Sequence, residues 1–254
     1  MASIAALAGC ALPSTAWSGE PVFSMAAGAE YSTGEYGGTS PIDETYLPIT
    51  LALDMNRVSL RVIVPYLSVR APELTIVDVP DGQPIITEGS QQTESGVGDV
   101  IAMMTVYDVL LSADGSVAMD LTGKVKFGTA DVDKGLGTGE HDYSVQADVF
   151  KFFSAVKLMG SVGYTLRGDP DYYDLDDSFY AYVGVGYAPS KKLSFGAFYD
   201  YRQASVEGTD AMQQLSGWIA TTVGERGRAE FYVNAGFGDS TPDWGAGVSL
   251  STSF

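Results

Sequence analysis

Cysteine and histidine are almost missing from this 254-residue chain, which holds one of each, Cys10 and His141. A zinc centre built on those ligands is therefore excluded, and no disulfide can form within the chain. Cations are scarce too: 14 Lys and Arg stand against 32 Asp and Glu, a net charge of −18. Nucleic acid is not an expected partner, because its phosphates need clustered basic residues. Long apolar runs are also missing, and nothing approaches the roughly 18–20 residues of a membrane helix. If the chain crosses a membrane it must do so as a closed barrel, which satisfies every strand hydrogen bond in lipid. There is no G-x-S-x-G elbow, and the Gly-rich run at 135–139 lacks the Lys-Ser/Thr of a phosphate loop. No cofactor or metal is expected. The lone His141 and the nearest serine, Ser144, are three residues apart, so in a strand they point to opposite sides. The reading is not an enzyme.

What is abundant is glycine and tyrosine, 30 and 15 residues, with a two-residue alternation of apolar and polar side chains. Val117, Met119, Leu121, Val125 and Phe127 share one face of a strand, while Asp120, Thr122, Lys124 and Lys126 share the other. The chain closes the same way. Trp244, Ala246, Val248, Leu250, Thr252 and Phe254 alternate with Gly245, Gly247, Ser249, Ser251 and Ser253. About twelve such segments are expected, near 22–32, 46–55, 58–69, 98–110, 117–129, 142–152, 156–167, 178–188, 193–204, 212–223, 228–238 and 244–254. The connections alternate between tight turns, such as Asn56-Arg57 and Ser154-Ala155, and mostly longer loops, such as 70–97 and 168–177. Short turns on one side and long loops on the other are what a barrel in the bacterial outer membrane requires, with both termini on the periplasmic side. Aromatics gather near strand ends, among them Phe23, Tyr31, Tyr66, Tyr143, Tyr164, Tyr187, Tyr201, Phe237, Trp244 and Phe254, as in two interfacial girdles. The expected fold is all-β: one up-and-down antiparallel transmembrane barrel of about twelve strands.

Residues 1–18 read as a signal peptide whose apolar core is 4–12, leaving 19–254 as the barrel. No Lys or Arg precedes Arg57, so the positive start of a signal is missing and the true start codon is expected further upstream. Leu7-Ala8-Gly9-Cys10 also resembles a lipobox, which leaves open whether Cys10 is lipidated or removed.

Several motifs resemble one family, the outer-membrane "MetA-pathway of phenol degradation" transporter-like barrels. Gly96-Val97-Gly98-Asp99-Val100 is similar to its G-x-G-D strand opening. Leu121-Thr122-Gly123-Lys124-Val125-Lys126-Phe127-Gly128-Thr129 is similar to its central strand. Lys134-Gly135-Leu136-Gly137-Thr138-Gly139, followed by Asp142, is similar to its Gly-rich loop and acidic strand start. Gly236 to Trp244 is similar to its last hairpin. The resemblance spans about 96–254, the first third matching only in pattern. It implies an outer-membrane transporter for small solutes, including hydrophobic or aromatic ones. The terminal strand ending in Phe254 also resembles the signal read by the barrel-assembly machinery. The strand at 98–110 departs from the family, offering mainly Thr105 and Tyr107 inward.

Parity sends charges of both signs inward: Glu30, Asp54, Arg61, Asp99, Asp120, Lys124, Lys126, Asp148, Lys157, Arg167, Asp200, Arg202 and Glu230. A twelve-strand barrel is narrow, so these charges either line a small polar pore or lock together and plug it. The candidate pore-lining residues are Asp120, Lys124, Lys126, Asp148, Arg61, Asp200 and Arg202. Outside, Asp169, Asp171, Asp174, Asp176 and Asp177 read as a solvated loop. A weaker reading has divalent ions bridging that loop to lipopolysaccharide phosphates. The competing function is a structural or ion- and partner-binding barrel with a plugged lumen.

Overall fold

The computed structural model describes residues 20–72, 75–77, 83–84, 89–171 and 173–254. The expected signal peptide and Cys10 lie outside them. Thirteen strands run along the chain: β1 (Val22–Gly34), β2 (Ile42–Met55), β3 (Val58–Pro72), β4 (Gln91–Val97), β5 (Val100–Leu111), β6 (Val117–Phe127), β7 (Asp142–Phe153), β8 (Val156–Leu166), β9 (Ser178–Tyr187), β10 (Leu193–Arg202), β11 (Met212–Val223), β12 (Gly227–Phe237) and β13 (Trp244–Ser253). Each pairs antiparallel with its neighbours, and β13 returns to β1 from Ser24↔Ser253 to Thr33↔Trp244. The result is a closed twelve-strand barrel with one extra strand.

Proline chemistry explains the extra strand. Pro48 and Pro65 face each other across β2 and β3, and neither has an N–H to give to its outer neighbour. The β1–β2 ladder therefore lapses between Ala27↔Ile49 and Glu30↔Tyr46. Beside Pro65 the partner of β3 changes: the strand expected at 98–110 is β5, which pairs with the inner part of β3, while β4, which lies inside the expected 70–97 loop, pairs with its outer part. Gly98 N–H donates to the Pro65 carbonyl at 2.9 Å in the gap. The gap lets the neighbouring Asp99 carboxylate sit buried inside the wall. The expected long loop at 70–97 is shortened accordingly.

Tight turns join the strand pairs on one side. Asn56 (φ 49°) and Ser154 (φ 52°) take the left-handed conformation that two-residue hairpins demand. In the 112–116 turn the Asp114 carboxylate accepts from the Ser112 and Ser116 hydroxyls and the Ser116 amide. These bonds hold it well below the usual carboxylate range. A depressed carboxylate stabilises above its unfolded pKa of about 4 and loses that contribution as pH falls through the folded value. Asp114→Asn should therefore flatten the acid side of the melting-temperature profile between about pH 4 and pH 2. An unchanged profile would mean the turn makes no such contribution.

Outward positions are apolar all the way round: Ile49, Leu60, Leu121, Val145, Val162, Val183, Ile219, Phe231 and Leu250 are all exposed, Val145 to 66%. A belt this continuous has no place in water and meets lipid in an outer-membrane barrel. Two aromatic rings bound it. Tyr31, Phe127, Tyr143, Tyr164, Phe179, Tyr201, Phe237 and Trp244 lie at the loop end; Phe23, Phe153, Tyr187, Phe195 and Phe254 lie at the turn end. Tyr31 packs on Trp244 and Phe23 on Phe254 across the closing seam, at 5.6 and 5.8 Å between ring centroids.

Candidate functional site: the barrel lumen

Every inward charge expected from parity is buried or half-buried, and none is exposed. The structure sorts them by depth. Near the loop end, β5 to β8 carry an ion-pair ladder. Lys126 Nζ lies 3.6 Å from Asp99 Oδ2 and 3.0 Å from Asp142 Oδ2, and Arg167 Nη1 lies 3.6 Å from Asp142 Oδ2. All four side chains are at most 5% exposed. The remaining carboxylate oxygens are also used: Asp99 Oδ1 accepts from the Thr129 and Ala130 amides and Asp142 Oδ1 from the Gly168 amide. Two acids matched by two bases, with those oxygens bonded, is the arrangement in which buried charges are tolerated.

That ladder fixes the start of the β6–β7 connection, which turns back into the barrel. Leu136 is 1% exposed, in a cluster with Ile42, Tyr46, Leu67, Val69, Ala71, Val77 and Ala130. The outer lumen is thus filled by an apolar cluster on the β2–β3 side and by the ladder on the β5–β8 side. Gln83, in the β3–β4 connection, reaches the β10–β11 connection half-way round the barrel. Its Oε1 accepts from Ser205 N–H at 2.9 Å, and its Nε2 donates to the Asp210 carbonyl at 2.9 Å. Gln83→Ala should speed amide exchange at Ser205 roughly fivefold, the loss of one bond worth about 1 kcal/mol. Unaltered exchange would show that the tie does not hold in solution.

At mid-depth, Asp148 accepts from Tyr182 Oη at 2.6 Å and from Gln146 Nε2 at 2.9 Å. It pairs in register with Asp120, whose Oδ1 accepts the Asp108 amide where β5 bulges. Lys124 is buried opposite Ser144. Arg202 lies 4.7 Å over the Tyr180 ring, and Asp200 stands between Tyr182 and Gln214 in register. Towards the turn end, Asp54, Arg61, Tyr107 and Lys157 are only half-buried. The lumen therefore loosens towards the turn end and tightens towards the loop end.

The seven expected lining residues do not form one cluster. Lys126 belongs to the ladder, Lys124 to the level between the ladder and Asp120, Asp120 and Asp148 to one register step, Asp200 and Arg202 to the far wall, and Arg61 to the loose inner end. Glu44, buried at 4%, was missed because the second strand was expected to start at 46. Extending the Tyr46, Pro48, Thr50 parity outward would have found it.

The far wall is aromatic. Phe198, Trp218, Ala220 and Tyr232 form a buried cluster, with Tyr180 and Tyr182 beside it. Glycines make the room: a Cβ on Gly163 or Gly247 would fall on the Tyr180 or Tyr232 ring, and one on Gly196 would lie 2.9 Å from Trp218. Each ring thus lies against the neighbouring strand's backbone. His141 is exposed, its Nδ1 accepting the Gly128 amide, whereas Ser144 is buried and bonded to Thr165. The two share no face.

A family model described as "Putative MetA-pathway of phenol degradation" matches residues 32–254. No curated protein matches the sequence. Among solved structures, the COG4313 outer membrane channel from Pseudomonas putida F1 superposes with a TM-score of 0.73 at 13% identity, covering 96% of this chain and 99% of that one. The KdgM porin superposes at 0.57 with 9% identity, covering 91% and 99%. At such identities the likeness is one of fold.

Proposed function

From the premise that this chain belongs to the family described as "Putative MetA-pathway of phenol degradation", and is thus an outer-membrane channel-like barrel, we propose that it passes small solutes, hydrophobic or aromatic ones among them. Asp120, Lys124, Lys126, Asp148, Arg61, Asp200 and Arg202 are proposed to line or brace the route. One observation carries the reading: an aromatic wall from β9 to β12 faces charged strands across a lumen that loosens towards the turn end. Rings flattened on glycine backbone present apolar faces without crossing the lumen. Charges on the opposite strands orient dipolar groups, and flat aromatic solutes fit between the two.

The test is single-channel conductance of the refolded protein in a planar bilayer, beside Lys124→Glu and Arg61→Glu. Discrete steps are expected, with the cation-to-anion permeability ratio raised about fivefold in each variant, the effect of about 1 kcal/mol of local potential. A folded barrel that stays silent would sink the channel reading. It would favour a structural barrel, for which the ion-pair ladder and the Leu136 cluster at the outer mouth already speak.

The non-enzymatic reading rests on the separation of His141 from Ser144. His141→Ala should leave lipid hydrolysis at background. Two partners are proposed besides the bilayer. The barrel-assembly machinery would read the closing strand, where Phe254 N–H donates to the Phe23 carbonyl. Lipopolysaccharide would meet the external loops. Within the acidic loop, Asp169 caps Leu175 and Asp177 caps Arg167 through their backbone amides. Among the described residues no cluster with the makings of a metal site is present.

A further inference from the structure

The wall running β11–β12–β13–β1–β2 holds buried acceptors that its own residues leave unused. The strand register places Ser216, Asn234, Gly245, Ser32 and Glu44 at one level. One step inward lie Trp218, Tyr232, Gly247, Glu30 and Tyr46. Tyr232 Oη donates to Glu30 Oε2 at 2.6 Å across Gly247, and the Asn234 side chain is within hydrogen-bonding reach of the same carboxylate. Glu30 Oε1, Asn234 Oδ1 and Ser216 Oγ are then buried with no partner among the described residues. Glu30 is 3% exposed, Asn234 5% and Ser216 3%. Glu44 adds a second carboxylate on the next strand. The inward positions of these five strands hold one basic side chain, Arg228, which is already paired with Glu230 at 3.3 Å.

Buried unsatisfied acceptors beside carboxylates call for a donor that carries positive charge. Indole and phenol rings one step away call for an apolar body, and their faces attract a cation as well. We propose that this wall is a subsite for a protonated arylalkylamine. Its ammonium donates to Glu30 Oε1 and Asn234 Oδ1 under the negative potential of Glu44, and its ring lies along Trp218 and Tyr232. The subsite rests on the reading of the lumen as a solute route, and it narrows that route's substrates to cationic aromatics. Neutral aromatics satisfy the rings and leave the acceptors unpaired. Aromatic carboxylates meet Glu30 and Glu44 with like charge.

The probe is 2-phenylethylammonium, with 2-phenylethanol as the neutral match. Calorimetric titration of the detergent-folded barrel reads binding with both ends of the lumen accessible, and bilayer conductance reads passage separately. Saturable one-to-one binding of the amine is expected, at least tenfold tighter than the alcohol. Glu30→Gln keeps the shape and should weaken amine binding tenfold or more without changing alcohol binding. Should that variant fail to fold, Glu44→Gln takes its place, with a loss of severalfold expected. Equal binding of amine and alcohol would overturn the proposal, leaving an apolar wall only. Absence of saturable amine binding would overturn it whatever the conductance. Amine binding in a barrel that never conducts would support the subsite while removing the channel reading, so the two failures are told apart.

Discussion

Lys126→Ala lowers the stability of the folded barrel by about 3–5 kcal/mol, the cost of leaving buried carboxylates without their cation. Lys126 Nζ is the group that touches both Asp99 and Asp142. Without it, Asp142 keeps Arg167 at 3.6 Å, whereas Asp99 loses the pair it makes with Lys126. The loss should appear as a lower temperature for the shift from folded to unfolded migration on a gel, and as a lower urea midpoint. Adding Asp99→Asn to the same chain should recover at least about 1 kcal/mol, because residues in one charge network couple. A midpoint that does not move in Lys126→Ala would show the ladder to be idle. Lys126→Glu would confound a selectivity experiment for the same reason, as it sets three carboxylates together. Conduction is therefore probed at Lys124 and Arg61.

Gly128→Ala is expected to displace the β6–β7 connection at a cost of about 3 kcal/mol, the upper end of what overpacking usually brings. A Cβ on Gly128 would fall on the Gly139 carbonyl and close to Glu140 N. Both are backbone, so neither yields as a flexible side chain would. The connection must swing away, and Leu136 leaves its place between Leu67 and Val77. Thiol labelling at Leu136→Cys reads this directly: slow in the parent, because the position is 1% exposed, and fast when Gly128→Ala is added. Labelling that stays slow would show that the loop absorbs the methyl group in place. Under the channel reading, the displaced loop should also raise unitary conductance.

Much of this architecture is visible in residue types. Alternation in Val117–Phe127 and Trp244–Ser253 marks two-faced strands because a strand's side chains reverse every residue. The parity that sets Lys124 and Lys126 against Leu121 and Phe127 holds in the folded barrel for the same reason. Asn56-Arg57 and Ser154-Ala155 announce hairpins because their backbone conformations are local. Parity does not see interruptions made by a neighbouring strand. The change of partner along β3, from β5 to β4, follows from the missing N–H of Pro65, which lies far back in the chain, and reading 98–110 in isolation gives no sign of it. Glu44 escaped for a plainer reason, since a strand end is set by how far its partner extends, and β1 runs on to Gly34.

The chain by itself thus determined a lipid-facing barrel, its strands apart from β4, its girdles and most of the residues that point inward, because these depend on periods and turns that each segment carries alone. Only closure decided what the inward residues do. Lys126 meets Asp99 and Asp142, Tyr232 meets Glu30, and Gln83 meets Ser205 through contacts between strands and loops far apart in sequence. No local pattern encodes which buried charge finds a partner and which acceptor is left waiting for one.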